Sequence, residues 1–257
     1  MKKRKLIKLG GSIFDQLDPQ YFEEWKAWCD AGHELVIVHG GGPALSAYCE
    51  AMEIETIFEA GVRVTTDDIL LGAERVLGGE VQSKIVYQLN QAGIRAVGLT
   101  GIDGKSIVGK QRDGLGAVGD IAFVDCTLFE TLLKAAYVPV VTSLVTGKDS
   151  TLNSNGDTCA IAVAAALAVD SFELLTDVDG VKLDGAYQTV VSSERLVAGI
   201  ESKEIYGGMI PKVQAVRNAS TQGIQDVRIR SGKYVSSQGT RVKEETNECI
   251  VTNLSTS

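Results

Sequence analysis

The stretch "ELVIVHGGGP", residues 34–43, decides the fold of this chain. Residues 35–38 form an uninterrupted apolar run, which is typical of a strand buried on both faces of a parallel sheet. Three glycines follow the strand, and Pro43 suits the first turn of a helix. A strand that passes through a glycine turn into a helix is half of a βαβ unit, so the stretch predicts an α/β protein.

Strands and helices alternate on both sides of this stretch. Residues 6–9 predict the preceding strand, and Asp18-Pro19 begins a helix that Gly32 ends. Later predicted strands lie at residues 96–99, 138–141, 172–176 and 227–230, and a β-hairpin spans 106–124. Predicted helices lie at residues 67–77, 81–91, 127–136, 157–168 and 210–221. The alternation predicts a largely parallel sheet that helices cover on both faces.

Composition excludes several classes of function. The net charge of −8 argues against binding to nucleic acid through a basic surface. No apolar run reaches membrane-spanning length, and the basic residues 1–5 lack the apolar segment of a signal peptide. Five cysteines without a C-x-x-C pair, together with only two histidines, argue against disulfides and a zinc site. We therefore expect a cytoplasmic protein. The polar residues 252–257 predict a frayed end, and the predicted topology places a boundary between two lobes near Asp170.

Lys8 interrupts the apolar strand at residues 6–9. An unpaired ammonium group is costly to bury, so the residue needs an explanation. Two ordinary explanations are open: Lys8 protects an edge strand, or its side chain extends to water. The third is that a ligand or a carboxylate meets the charge inside the protein.

Glycines follow two of the predicted strands. Gly10 and Gly11 come after the first strand, and Gly40, Gly41 and Gly42 come after the second. Such turns let backbone N–H groups approach an anion at the carboxyl edge of a parallel sheet, although many glycine turns have no ligand. Neither turn has the spacing of a Walker A loop or of a dinucleotide fingerprint, which makes a nucleotide-dependent dehydrogenase a poor fit.

Polar and charged residues gather at two further helix starts. In "NSNGD", residues 153–157, Asp157 suits a helix N-cap, whereas the two asparagines suit a small polar ligand. In "GGMIPK", residues 207–212, Lys212 lies in the first turn of a helix. A cation there is disfavoured by about 0.3–1 kcal/mol unless an anion lies beside it.

Two lysines, a carboxylate able to hold them and glycine turns together indicate phosphoryl transfer. That reaction depends on positive charge placed around the moving phosphoryl group. A carboxylate acceptor, with a pKa of about 4.3 for a glutamate side chain, is already ionised near pH 7 and needs no general base.

The motifs, in their order, resemble the amino acid kinase family, and within it the branch that phosphorylates N-acetyl-L-glutamate. The resemblance rests on "KLGGS", "VIVHGGGP", "GVRVT", "AVGLTGIDG", "LGAVGDI", "VPVVTSL", "LNSNGDTCA", "LLTDVDGV" and "GGMIPKVQAV", which run from Lys8 to about Gly232. It implies a three-layer αβα sandwich around a central, mainly parallel sheet. It also implies that residues 1–170 bind the acceptor and dimerise and that residues 171–257 bind ATP.

The resemblance implies a role for each matching residue. Lys8 and Lys212 match the lysines that stabilise the transferring phosphoryl group, and Asp157 matches the aspartate that orients them. Substrate-binding positions are matched by Gly41, Gly42, Arg63, Asn153 and Asn155, with Arg63 on a carboxylate of the acceptor. ATP-binding positions are matched by Gly11, Asp177, Val178, Asp179, Gly180, Val181, Lys182, Glu204, Ile205 and Tyr206.

The resemblance also implies cofactors, partners and a reaction. The nucleotide is ATP with its bound Mg²⁺, the acceptor is N-acetyl-L-glutamate, and the assembly is a homodimer without nucleic acid or membrane. The family's arginine-inhibited hexamers begin with a helical extension, and since this chain starts close to its first strand we expect an arginine-insensitive dimer. Two alternatives are a kinase of a related carboxylate, such as carrier-linked aminoadipate or glutamate, and a non-catalytic binding protein of the same fold.

Three positions depart from the family pattern. Gly156 stands where the family usually has alanine, and Gln82 and Ser83 replace the asparagine and lysine of a "VNK" motif.

Overall fold

The computed structural model describes residues 1–59 and 61–244 of the chain. The predicted frayed end at residues 252–257 and Cys249 lie outside the described residues. The four other cysteines are free thiols.

The described chain contains strands of two to six residues and eight α-helices. The strands are β1 Arg4–Leu9, β2 Glu34–His39, β3 Phe58–Glu59, β4 Val62–Arg63, β5 Ala96–Leu99, β6 Ile107–Gln111, β7 Gly119–Val124, β8 Val138–Thr142, β9 Leu144–Thr146, β10 Thr151–Asn153, β11 Ser171–Thr176, β12 Lys182–Leu183, β13 Ala186–Tyr187, β14 Val190–Ser192, β15 Asp226–Ser231 and β16 Thr240–Lys243. The helices are α1 Gln20–Asp30, α2 Gly42–Ala51, α3 Asp67–Ala73, α4 Gln82–Gln91, α5 Thr127–Lys134, α6 Gly156–Ala166, α7 Ser193–Glu201 and α8 Met209–Thr221.

A central sheet of eight strands organises the molecule, in the order β14-β16-β15-β11-β1-β2-β8-β5. All its neighbouring pairs are parallel except β15 and β16. The prediction of a mainly parallel sheet is therefore confirmed. The predicted hairpin at 106–124 is also present, as the antiparallel pair β6 and β7 in a smaller sheet with β9 and β10.

Apolar side chains on the two faces of the sheet build two separate cores. Leu6 of β1 belongs to the core that includes residues of α5, α6 and α8, whereas Ile7 and Leu9 belong to the core with α1 and α4. Alternate residues of a strand point to opposite faces, so one strand contributes to both cores. The result is the three-layer αβα sandwich that the family resemblance implies.

The helical segment at residues 67–91 differs from the prediction of two helices with a break at Gly78-Gly79. A π-helix at Glu74–Val81 joins α3 directly to α4. Its wider turns, with i→i+5 hydrogen bonds, carry the backbone through the glycines without a loop. The π-helix packs beside α2 and β9, and α4 packs beside β5 and β8.

No helix in the described part of the chain has both the length and the apolar character needed to cross a membrane.

Candidate active site

The carboxyl ends of β1, β2 and β11 form one edge of the central sheet, and the polar residues singled out in the sequence gather there. Gly10 donates its N–H to the carbonyl of Leu175 at 3.1 Å, and Gly40 donates to Leu9 at 3.2 Å. These bonds hold the two glycine turns side by side. β1 pairs with β2 on one side and with β11 on the other. The crevice at the carboxyl ends of such strands is where α/β proteins bind ligands.

Lys8 lies on β1, which is a central strand with β11 and β2 on its two sides. The edge-strand explanation for this lysine is therefore wrong. Lys8 shares a face with Leu6 and points toward α6, where its Nζ lies 2.5 Å from Asp157 Oδ1. The side chain of Lys8 is only 12% exposed, so Asp157 rather than water compensates most of its charge.

Asp157 does not serve as the N-cap of α6, so that alternative from the sequence is wrong. Asn155 is the N-cap, and its Oδ1 accepts hydrogen bonds from the N–H groups of Asp157 at 2.9 Å and Thr158 at 3.0 Å. The cap leaves the carboxylate of Asp157 free to meet Lys8. The carboxamide oxygen of Asn155 is in turn committed to the helix.

Lys212 lies in the first turn of α8, and its Nζ contacts Asp177 Oδ1 at 2.6 Å. The hydrogen bond from Lys212 lowers the pKa of Asp177 from its ordinary value to about 2. Asp177 follows β11, so it belongs to the same sheet edge as Lys8.

A cavity of about 210 Å³ connects the two lysines. Lys8, Asp157, Lys212 and Gly11 line it, together with Ser12 and Gly208. The space is large enough for a phosphoryl group, and its two cations come from distant parts of the chain. We call it the transfer cavity.

A second cavity of about 230 Å³ adjoins the transfer cavity, because both include Lys8, Gly11 and Asp157. All five predicted substrate-binding residues line it: Gly41, Gly42, Arg63, Asn153 and Asn155. Asn153 donates to Thr65 Oγ1 at 3.3 Å, which anchors its carboxamide. We call this space the acceptor cavity.

Arg63 holds an incompletely paired guanidinium group in the acceptor cavity. Its Nη2 donates to Ser46 Oγ at 2.6 Å and to the carbonyl of Gly42 at 3.3 Å, and the group lies 4.6 Å from the ring centre of Phe58. Nη1 is enclosed and has no hydrogen-bond partner within residues 1–59 and 61–244. A buried donor without a partner is rare, and a ligand carboxylate would satisfy it.

A third cavity of about 460 Å³ includes Met209, the first residue of the helix that carries Lys212, and we call it the nucleotide cavity. Six predicted ATP-binding residues line it: Val178, Gly180, Lys182, Glu204, Ile205 and Tyr206. Gly11 and Asp177 lie instead at the transfer cavity and on Lys212. Asp179 is not part of the lining, and the Val181 side chain is fully buried in the core.

Several residues that line the acceptor and nucleotide cavities were not predicted from the sequence. Leu45, Phe58 and Leu77 line the acceptor cavity, and Tyr187 and Met209 line the nucleotide cavity. Phe58 belongs to the short β3–β4 hairpin, whose turn around Gly61 was the available signal. The other four lie in ordinary apolar patterns, which do not distinguish a cavity wall from a core.

The chain matches the model of the amino acid kinase family over residues 3–231. Acetylglutamate kinase from Geobacillus stearothermophilus is 39% identical over 253 residues, which cover 95% of this chain and 98% of that protein. Acetylglutamate kinase from Brevibacillus brevis is 40% identical over 235 residues, 88% of this chain and 89% of that protein. The crystal structure of smu.665 from Streptococcus mutans UA159 has a TM-score of 0.86 and 32% identity, and the match covers 95% of this chain and 99% of that one. With the fold and the sheet-edge site, these matches show that the chain belongs to the amino acid kinase family.

Proposed function

We propose that this protein transfers the γ-phosphoryl group of ATP to the side-chain carboxylate of N-acetyl-L-glutamate, as a step of arginine biosynthesis. The product is the acyl phosphate N-acetyl-L-glutamyl 5-phosphate. The observation that carries the proposal is the transfer cavity, where Lys8 and Lys212 line one phosphate-sized space that adjoins the acceptor cavity. The names of the relatives described above supply the acceptor.

The acceptor cavity fits a small molecule with two carboxylates. Arg63 offers its free Nη1 to one carboxylate, which places the other toward Lys8 and the glycine turns. Leu45, Leu77 and Phe58 give the cavity an apolar wall, which suits the methyl of an acetyl group. Gly41 and Gly42 have backbone N–H groups at the start of α2, where an anion is stabilised.

The reaction needs charge neutralisation and alignment. An oxygen of the acceptor carboxylate forms a bond to the γ-phosphorus of ATP, and the bond from that phosphorus to the β,γ-bridging oxygen breaks, which releases ADP. No proton is transferred. Lys8 and Lys212 balance the negative charge on the moving group, and Asp157 keeps Lys8 aimed into the cavity.

The nucleotide cavity fits the base and sugar of ATP. Its walls combine apolar groups with Tyr187, Tyr206 and Lys182. Mg²⁺ arrives on the nucleotide, whose phosphate oxygens are the hard ligands that this ion prefers. In this proposal Gly11 lies against the phosphates. Lys212 leaves Asp177 and contacts the phosphates instead.

Three further features belong to the same proposal. Residues 1–170 supply the acceptor site, and residues 171–257 supply the nucleotide site. The protein is a cytoplasmic homodimer, as its family resemblance implies, and light scattering coupled to gel filtration tests the assembly. An ATP-dependent biosynthetic reaction and free thiols both fit the reducing cytoplasm.

An acceptor panel tests the proposed function. The purified protein is incubated with ATP, Mg²⁺ and N-acetyl-L-glutamate, L-glutamate, or carrier-linked aminoadipate or glutamate, and ADP release is measured. Hydroxylamine traps any acyl phosphate as a hydroxamate that can be quantified separately. We expect both signals with N-acetyl-L-glutamate and little with the others. No turnover of N-acetyl-L-glutamate would overturn the acceptor assignment, and turnover of a carrier-linked acceptor would replace it.

A further inference from the structure

His39 is a buried titratable residue that the phosphoryl transfer described above does not use. It ends β2, directly before the triple glycine turn, and is 1% exposed. Its Nδ1 lies 3.1 Å from the carbonyl oxygen of Gly40, and its Nε2 lies 2.7 Å from Gln82 Oε1. Burial lowers the pKa of His39, so the ring is neutral at physiological pH.

A neutral imidazole carries one N–H, so it cannot donate to two oxygens at once. The carbonyl of Gly40 can only accept, which requires the proton to be on Nδ1. The carboxamide of Gln82 can turn by 180° about its last bond and present its NH₂ group instead of its oxygen. A single neutral arrangement then satisfies both contacts: His39 Nδ1 donates to Gly40, and Gln82 donates to His39 Nε2.

Gln82 reaches the ring from the first position of α4. It is 6% exposed, and it packs against Gly98 of β5, where an added Cβ would lie 2.9 Å from Gln82 Cγ. The buried glutamine therefore fixes the position of the ring, and the Gly40 carbonyl selects the tautomer.

The bond from His39 also fixes the direction of a backbone donor. The Gly40–Gly41 peptide is trans, so the carbonyl of Gly40 and the N–H of Gly41 point in opposite directions. The carbonyl faces the buried ring, and the N–H faces away from it. Gly41 N lies beside Gly11, where an added Cβ would be 2.9 Å from it, and both glycines line the acceptor cavity.

We propose that His39, held in position by Gln82 and in its Nδ1–H tautomer by the Gly40 carbonyl, is a positioning residue that aims the N–H of Gly41 at the reacting carboxylate. This inference rests on the proposed function for the identity of that ligand. Its structural half, the tautomer and the Gly40 bond, does not depend on any substrate.

The tautomer is tested by ¹⁵N NMR of the imidazole nitrogens in the full-length protein without substrate. The chain has two histidines, so a His33→Gln variant assigns both spectra. We expect His39 to show a protonated Nδ1 and an unprotonated Nε2. Gln82→Leu should keep that tautomer, because the Gly40 carbonyl selects it. A protonated Nε2 with an unprotonated Nδ1 would overturn the proposal, even if the kinase assay succeeds. Conversely, an inactive protein with the expected tautomer would fail only the proposed function.

Two amide variants separate the roles of the two ring nitrogens. In His39→Asn the amide nitrogen takes the place of Nδ1, whereas in His39→Gln it takes the place of Nε2. We expect His39→Asn to keep kcat within about 3-fold and His39→Gln to lose about 10–100-fold, with the KM for ATP unchanged in both. Equal activity of the two variants, whether both low or both high, would contradict the proposal.

Thr142→Val is the matched control for packing at this site. Thr142 is the cross-strand neighbour of His39 on β8, is fully buried, and its Oγ1 has no hydrogen-bond partner in the described parts of the chain. The substitution keeps the shape of the side chain, removes only a hydroxyl without a partner and leaves Gly40 untouched, so kcat is expected to stay within about 2-fold. A loss in this control as large as in His39→Gln would show that any change at this depth disturbs the turn, and would overturn the specific role of His39.

Discussion

Lys8 and Lys212 both lie against a carboxylate, yet their surroundings differ. The Lys8–Asp157 pair is 12% and 23% exposed, whereas the Lys212–Asp177 pair is 25% and 49% exposed. Lys8 comes from a central strand and Asp157 from a capped helix, so both have rigid supports. Asp177 comes from the loop after β11. Under the proposed function, this difference means that the acceptor half of the site is assembled before substrate binds, whereas Lys212 in the nucleotide half exchanges Asp177 for a phosphate.

The orphan donor of Arg63 belongs to the same contrast. Nη1 of Arg63 is enclosed, and in the described parts of the chain it has no partner that a ligand would have to displace. In the proposed mechanism, Lys212 instead exchanges its bond to Asp177 for a phosphate contact. Exposed ion pairs contribute only about 0–1 kcal/mol, so this exchange is readily reversible.

The largest expected effect comes from Lys8→Ala. Removal of a pre-positioned cation should lower kcat by about 10²–10³-fold, because the charge of the moving phosphoryl group loses its fixed partner. Binding of N-acetyl-L-glutamate, measured by calorimetry, should persist. Lys26→Ala, which removes an exposed i, i+4 pair with Asp30, is the control. Unchanged turnover in Lys8→Ala would refute the role of Lys8.

Arg63→Ala should act on binding of the acceptor. A hydrogen bond between charged groups is worth about 1.5–3 kcal/mol, so the KM for N-acetyl-L-glutamate should rise roughly 10–100-fold. The KM for ATP should stay within about 2-fold, as measured by initial rates with each substrate varied in turn. A rise in the KM for ATP alone would contradict the proposed division of the site into an acceptor half and a nucleotide half.

A smaller effect is expected at the rim of the nucleotide cavity. Arg195 Nη2 lies 3.1 Å from both Asp184 Oδ2 and Glu204 Oε1, and Glu204 also accepts from the N–H of Asp184 at 2.9 Å. These bonds join the β12–β13 hairpin to the segment before α8. Arg195→Ala should raise the KM for ATP about 2–5-fold, since the pairs are partly exposed.

Arg112→Ala is the matched control for Arg195. It removes a similarly exposed arginine–aspartate pair with Asp120 in the β6–β7 region. Neither KM should change. If Arg195→Ala and Arg112→Ala raise the KM for ATP equally, the increase comes from the loss of surface charge and not from the rim of the nucleotide cavity.

The smallest expected effect is on acid stability. The pKa of Asp177 is lowered to about 2 in the folded protein, below the value of about 3.9 for an unfolded aspartate. Its stabilising contribution is therefore present above about pH 4 and is lost as the pH falls toward 2. The difference in unfolding free energy between wild type and Asp177→Asn should shrink over that range in urea titrations. Asp30→Asn is the control, and a difference that grows on acidification would contradict the pairing.

Much of this arrangement could be predicted from the sequence because it follows from chain periodicity. Apolar runs, glycine turns and helix starts located β1, β2, β5, β8, β11 and β15, and parallel strands bring their carboxyl ends to one edge. That is why Lys8, Asp157 and Lys212 could be expected near each other from residues far apart in the chain.

Other features depend on tertiary contacts that no local pattern contains. Asn155 is the N-cap of α6 although aspartate is an equally good capping residue, because Asp157 faces Lys8. Lys212 lies on Asp177, which is visible only once α8 packs beside the end of β11. The buried bond between His39 and Gln82 joins two segments 43 residues apart.

The most direct test is a crystal structure with MgADP, tetrafluoroaluminate and N-acetyl-L-glutamate, which imitate the phosphoryl group in transit. We predict that Lys8 Nζ and Lys212 Nζ both contact fluorine atoms, that Lys8 remains on Asp157, and that Lys212 has left Asp177. A complex in which Lys212 stays on Asp177 without touching the fluorides, or in which Lys8 abandons Asp157 to reach them, would contradict the account.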